Sequence, residues 1–96
     1  MPHVIDNIIW HNGIRYGWID GHHIRRQEDG QKIGYFEDNK IYNEEAHKLA
    51  EIWTDTDHKL HYEHDHDPVD LEHVNEQIEG EIPLLAKCAI KVFFDW

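Results

Sequence analysis

Short apolar runs alternate with turn residues along the first two-thirds of the chain. The runs are rich in Ile, Trp, Tyr and Phe, which suit a pleated, half-buried strand. Dipeptides that tolerate a positive φ stand between them, and these are the strongest short-range signal for β-hairpins. In chain order they are Asp6-Asn7, Asn12-Gly13, Asp20-Gly21, Asp29-Gly30 and Asp38-Asn39. The pattern predicts a mainly β fold, a meander of short antiparallel hairpins.

The pattern also repeats, with spacings of 17 and 16 residues between matching small residues. Each small residue is followed two positions later by a large one: Gly17 and Ile19, Gly34 and Phe36, Ala50 and Ile52. Glycine inside a strand costs stability, so a repeated small residue indicates close backbone approach or a sharp strand bend. We expect the large residues to point inward, towards a pseudo-rotational axis. The predicted pseudo-symmetric units, about four in number, are residues 3–13, 14–30, 31–46 and 47–62.

The repeat ends after Tyr62. Residues 63–72, EHDHDPVDLE, are rich in acids and contain a proline, which predicts a loop. Residues 73–82 follow, and their apolar or small members stand on one parity: Val74, Ile78, Gly80 and Ile82. This alternation predicts one more strand over 73–82.

The last segment, PLLAKCAIKVFFDW, predicts a helix over residues 83–95. Pro83 suits a first helical turn. Lys87, Lys91 and Asp95 recur at i, i+4 and i+8 as a polar stripe, which leaves a wide apolar face that must be covered. Because AIKVFF is also β-prone, a final strand is the open alternative.

Three short motifs carry a resemblance to a known family. They are Gly17-Trp18-Ile19-Asp20-Gly21, Gly34-Tyr35-Phe36-Glu37-Asp38-Asn39 and Lys87-Cys88-Ala89-Ile90. With them the chain resembles short bacterial domains described as four-fold beta-flower proteins, in which about four such units precede an apolar tail containing KCAI or RCAI. The third unit departs from the family pattern, with Ala50 for glycine and a longer turn at residues 55–57. The resemblance implies a β-repeat fold and a bacterial source, and it implies no activity. Small size and acidity also suit a phage protein.

Charge sets the expected function. The 96 residues fit one domain, and the net charge of −11 is concentrated in residues 51–81, where eleven carboxylates stand against Lys59 alone. Such a field repels phosphate backbones, so we expect no direct nucleic-acid binding. It attracts a basic protein, and we expect a non-enzymatic binding module of the inhibitor or immunity type. The candidate partner-binding residues are Asp65, Asp67, Asp70, Glu72 and Trp96.

The expected location is cytoplasmic. The first residues, MPHVIDNIIWHNG, hold no basic region and no long apolar run, so neither a secretory signal nor a membrane span is expected. A single cysteine fits a reducing compartment. The apolar end of the chain, residues 93–96, is a candidate homodimer surface.

One constellation suggests metal chemistry, the run HKLHYEHDHD with His58, His61, His64 and His66. Imidazoles among carboxylates suit Zn²⁺ or Ni²⁺, which predicts a divalent-metal-binding protein as the alternative function. A pH-sensitive patch and a merely hydrated acidic loop are the other two interpretations. A metal-dependent hydrolase that uses Asp65 and His66 is a third function.

No catalytic residue is assigned. The chain contains no serine, and its glycines stand singly at turn spacing rather than in a phosphate-binding loop. Cys88 lies in an apolar segment, where a cysteine usually behaves as a small buried hydrophobe. We therefore expect no enzyme activity from a nucleophile and no cofactor other than the metal ion considered above.

Overall fold

Antiparallel strands form one nine-stranded sheet in sequence order, which confirms the predicted meander. The computed structural model describes residues 1–96. The strands are His3–Ile5 (β1), Ile8–His11 (β2), Ile14–Asp20 (β3), His23–Arg26 (β4), Lys32–Glu37 (β5), Lys40–Asn43 (β6), Lys48–Trp53 (β7), Lys59–Tyr62 (β8) and Val69–Asp70 (β9). Two helices, Leu71–Gln77 (α1) and Leu84–Phe94 (α2), complete the fold.

Turn chemistry explains the hairpins. Asp6-Asn7 joins β1 to β2 with φ of 52° and 63°, and Asp38-Asn39 joins β5 to β6 with φ of 50° and 64°. Two successive positive φ angles match the twist of the flanking strands. Between β3 and β4 the turn lies one residue later than predicted, at Gly21-His22, because Asp20 is still paired in the strand.

The pairing between successive hairpins shifts register at three places. A small residue lies opposite the strand residue at which each shift begins: Gly17 opposite Ile9, Gly34 opposite Ile24, and Ala50 opposite Ile41. Register shifts of this kind bend a strand and increase its twist. The repeated small residues therefore coincide with the register shifts between hairpins.

Close packing also requires glycine at two of these positions. A Cβ atom on Gly34 would overlap the Phe93 ring of α2 and the Tyr42 carbonyl oxygen. A Cβ atom on Gly17 would overlap the Arg25 carbonyl oxygen. The predicted close backbone approach is thus confirmed at both residues.

Helix α2 confirms the C-terminal helix, and the alternative of a final strand is wrong. Pro83 precedes its first residue, and Asp95 ends it in the left-handed conformation with φ of 56°. Cys88, Ala89 and Ile90 are fully buried in the core between the helix and the sheet. Neither helix is long and apolar enough to cross a membrane.

The strand predicted over residues 73–82 is wrong, because α1 occupies Leu71–Gln77. The predicted loop 63–72 is also too long, since β9 and the start of α1 lie within it. Leu71, Val74 and Ile78 are all fully buried, at the spacing i, i+3 and i+7 of one helix face. Val74 and Ile78 fit both a period of two and a helical period, and Leu71 decides between them.

Residues 69–82, the closing segment, carry the chain from β8 back to the free edge of β1. The Val4 amide donates to the Glu79 carbonyl oxygen at 2.8 Å, and the Glu79 amide donates to the Pro2 carbonyl oxygen at 3.1 Å. Glu79 thus forms a parallel bridge with His3. An open strand edge is a liability for a small β-protein, and the closing segment covers part of this one.

Lys87 and Lys91 are buried, each only 6% exposed, contrary to their predicted place on an outward polar stripe. The Lys87 ammonium donates to the backbone oxygen and Oδ1 of Asn75 at 3.2 and 3.0 Å, and Lys91 donates to Oε1 of Gln77 at 2.8 Å. These acceptors lie near the C-terminal end of α1, where a cation is favoured. The stripe therefore holds α1 onto α2. Burial lowers the pKa of Lys91.

Candidate functional site

The exposed face of the closing segment and the loop before it carries a run of carboxylates. We call this set the acidic strip: Asp65, Asp67, Asp70, Glu72, Glu76, Glu79 and Glu81. All of its members are exposed. The local fold explains this, because α1 turns Leu71 and Val74 into the core and leaves Glu72 and Glu76 on its outer surface.

The acidic strip is almost free of cationic partners. Only Asp70 has one within 4.0 Å, the Lys59 ammonium at 4.0 Å. Some carboxylates on the hairpins are paired more closely: Arg25 lies 2.8 Å from Asp20, and Arg26 lies 2.8 Å from Asp29. Arginine thus neutralises these two hairpin carboxylates, whereas six of the seven strip carboxylates are left open to a partner.

Hydrogen bonds from arginine change the acidity of the paired carboxylates. The side-chain hydrogen bond from Arg25 lowers the pKa of Asp20. The side-chain hydrogen bond from Arg26 is the largest cause of the lowered pKa of Asp29, with the Gln31 backbone amide second. These groups belong to the scaffold, because their charge is already compensated.

The structure separates the predicted metal ligands. Nε2 of His61 lies 2.8 Å from Oδ2 of Asp57, and the His61 ring stacks on Trp53 with centroids 3.7 Å apart. The His66 ring stacks on Tyr62 at 3.8 Å. His58 directly follows the turn at residues 54–57, with a φ of 57°, and His64 is exposed in the loop after β8. No three His, Cys, Asp or Glu side chains form a group that could hold a metal ion. Metal binding by these histidines stays a prediction.

The predicted partner-binding residues fall in two places. The four carboxylates Asp65, Asp67, Asp70 and Glu72 belong to the acidic strip. Trp96 lies in an aromatic cluster, with ring centroids 4.7 Å from His11 and 5.1 Å from both Tyr16 and Phe94.

The predicted homodimer surface is partly used within the chain itself. The Phe93 ring lies over Gly34, and Trp96 stacks on Phe94. Phe93, Phe94 and Trp96 all pack partly against the core. They keep some exposed area, so a homodimer through residues 93–96 stays a prediction.

A groove that the sequence did not predict adjoins the acidic strip. It has a volume of ≈ 700 Å³ and lies between the β1–β2 hairpin and the last residues of the closing segment. Its lining residues are Val4, Ile5, Asp6, Asn7, Gly80, Glu81 and Ile82. The strand predicted over residues 73–82 leaves no place for this groove. Gly80 is the residue in the sequence that could have indicated the groove. Its φ of 147° belongs almost only to glycine, and at this residue the chain turns away from β1.

Cys88 does not form a catalytic centre. The thiol is fully buried, and burial raises its pKa to about 12. A reactive thiol needs partial exposure and an environment that favours the thiolate. Cys88 is therefore a core residue, as its apolar neighbours in the sequence indicate.

Comparison of the chain with protein-family models, with curated proteins and with solved structures finds no match.

Proposed function

We propose that this chain is a non-enzymatic binding module whose acidic strip docks on the basic surface of a protein partner, as an inhibitor or immunity protein does. One observation carries the proposal: six of the seven strip carboxylates are exposed with no cation within 4.0 Å. Charges that a scaffold holds fixed and uncompensated steer a complementary partner and select against a like-charged one. The same field disfavours nucleic acid.

Burial of the two α2 lysines supports this function. Lys87 and Lys91 are buried and donate to oxygen atoms of Asn75, Gln77 and Trp96, so they are withdrawn from the surface that carries the strip. The outer face of the closing segment therefore keeps its negative charge. A partner that offers lysine or arginine side chains supplies the missing counter-charge.

We infer further that the hairpins are pseudo-symmetric units of the beta-flower kind. The residue before the second strand of each hairpin accepts a backbone hydrogen bond at 2.8–3.1 Å, from the next unit in the first three hairpins and from the first residue of α1 in the fourth. The acceptor and donor pairs are Asn7 and Ile19, His22 and Phe36, Asn39 and Ile52, and His58 and Leu71. Equivalent bonds in successive units are what a repeated fold requires. A cytoplasmic location is part of the proposal, and the unpaired thiol of Cys88 supports it.

The test uses an oligolysine of about twenty residues, long enough to cross the strip at roughly 3.3 Å per residue. We expect its affinity for the protein to fall at least about tenfold from low to high ionic strength, because screening weakens charge-led association. We expect the variant Asp65→Asn/Asp67→Asn/Asp70→Asn/Glu72→Gln to bind about tenfold more weakly at low ionic strength. Calorimetric titration measures both.

The matched control removes the same charge from exposed carboxylates of the hairpins, with Glu28→Gln/Glu37→Gln/Asp38→Asn/Glu45→Gln. This control is expected to lose clearly less affinity than the strip variant, since net charge alone acts only at long range. Affinity that does not respond to salt, or that falls equally in both variants, would refute docking through the strip.

A further inference from the structure

The wall of the groove formed by residues 80–82 has an unpaired main chain. None of the backbone amides or carbonyls of Gly80, Glu81 and Ile82 takes part in a hydrogen bond, either with the backbone or with a side chain. Gly80 and Ile82 are nevertheless partly buried. Main-chain polar groups in such places are normally paired. This wall therefore offers donors and acceptors to a second chain.

The opposite wall is the edge of β1, where the pairing to the closing segment stops. The Val4 amide donates to Glu79, and the Val4 carbonyl leaves β1 on the same side, as adjacent main-chain groups of one strand residue do. No hydrogen bond continues the pairing beyond Glu79. Gly80 then turns away, in a conformation where a Cβ would lie 2.8 Å from the Val4 oxygen. The parallel bridge thus opens into the groove after a single step.

Charge and apolar surface at the groove indicate what it binds. Asp6 and Glu81 line it, Glu79 lies beside it, and all three carboxylates are exposed and without ion-pair partners. Ile5, which also lines it, is 58% exposed and offers apolar surface to a bound segment. The volume of ≈ 700 Å³ lies within the range of ligand-binding clefts, about 300–1,000 Å³.

We propose that this groove holds an extended, lysine- or arginine-bearing peptide segment of the basic partner. The segment's main chain pairs with residues 80–82, its cationic side chains meet Asp6, Glu79 and Glu81, and an apolar side chain covers Ile5. Main-chain pairing supplies affinity, and the side chains supply selectivity. The inference rests on the proposed function and adds the place and the conformation in which the partner is held.

The probe is a fluorescein-labelled heptapeptide of alternating lysine and valine, and fluorescence anisotropy measures its binding. Two reference peptides carry N-methyl groups, one on the lysine amides and one on the valine amides. Since alternate amides of an extended peptide face opposite sides, at least one reference is expected to bind about tenfold more weakly. Equal binding of all three peptides would overturn the main-chain pairing.

Two charge variants and two isoleucine variants locate the site. Asp6→Asn/Glu79→Gln/Glu81→Gln is expected to weaken heptapeptide binding about tenfold, and the equally charged Asp65→Asn/Asp67→Asn/Glu72→Gln less than about threefold. Ile5→Lys is expected to weaken it, while Ile14→Lys, at a position 57% exposed on β3, is not.

The outcomes separate the groove from the proposed function. If the two charge variants bind the heptapeptide equally while salt still weakens binding, the groove is overturned and the acidic docking surface stands. If the heptapeptide and oligolysine both fail to bind at low ionic strength, both proposals fail. Circular dichroism of each variant establishes that the fold is retained.

Discussion

Replacing Gly34 with alanine is expected to destabilise the protein by about 2–3 kcal/mol, because it forces a Cβ into a filled space. The added carbon would meet the Phe93 ring of α2 and the Tyr42 carbonyl oxygen of the neighbouring strand. The ring can turn aside only by leaving its place against the core, and the carbonyl cannot move without disturbing β6. Urea denaturation measures the loss, and thermal unfolding should show a fall of roughly 10–20 °C.

Ala50 provides the matched control, since it lies opposite Ile41 as Gly34 lies opposite Ile24. Ala50 is fully buried, so this site already accommodates a Cβ. Ala50→Gly is expected to cost about 1 kcal/mol, through backbone entropy and a lost methyl group. A Gly34→Ala variant as stable as the wild type would contradict the packing of α2 on β5.

The second large effect is alkaline instability from Cys88. Burial raises the pKa of this thiol from 9.0 to about 12 in the folded protein, while the unfolded chain ionises near 9.0. The folded state therefore binds the extra proton between these values. The stability that the buried thiol contributes is fully present below pH 9.0 and is lost as the pH rises towards 12. The free energy of unfolding should fall by up to about 1.4 kcal/mol per pH unit in this window.

The Cys88→Ala variant separates this effect from those of other groups. Burial also raises the pKa of Tyr62 to about 12, which adds to the loss above pH 10, whereas the lowered pKa of Lys91 opposes it. Cys88→Ala should reduce the slope of stability against pH by up to the one-proton value. Parallel pH profiles for the variant and the wild type, from urea titrations between neutral pH and 11, would show that the thiol is not buried in this way.

Sequence reasoning predicts the hairpins well because their cause is local. Asp6-Asn7 and Asp38-Asn39 need only their own backbone preferences to form turns. The repeated position of Gly34 likewise predicts that another part of the chain packs closely against this strand. The structure identifies the neighbour as Phe93. Local turn preferences thus predict the hairpins of the sheet, whereas the residues that pack against them are known only from the structure.

The secondary structure of the closing segment is harder to predict, because the spacing of its apolar residues is ambiguous. Val74 and Ile78 suit a strand and a helix alike, and a helix of seven residues gives little pattern to choose from. The prediction that Lys87 and Lys91 face outward is wrong for a related reason. A polar stripe on a helix normally faces water, and nothing in the residues of α2 shows that α1 covers it.

The candidate site is predicted only in part. Charge density identifies the strip carboxylates, because their excess over Lys59 is visible in the sequence. The groove depends on where Gly80 leaves β1, which is a tertiary feature. His61 and His66 stand five residues apart in the chain, yet they stack on separate aromatic rings, Trp53 and Tyr62. Closeness in the sequence therefore does not bring these two histidine side chains to one site.

Hydrogen exchange at the closing segment measures the bridge to β1, on which both the acidic strip and the groove depend. The amides of Val4 and Glu79 donate across this bridge, whereas those of Glu81 and Ile82 donate to no acceptor. We expect the first two to exchange at least about a thousandfold more slowly than the second two in the free protein. If the amides of Val4 and Glu79 exchange as fast as those of Glu81 and Ile82, the closing segment does not cover the edge of β1.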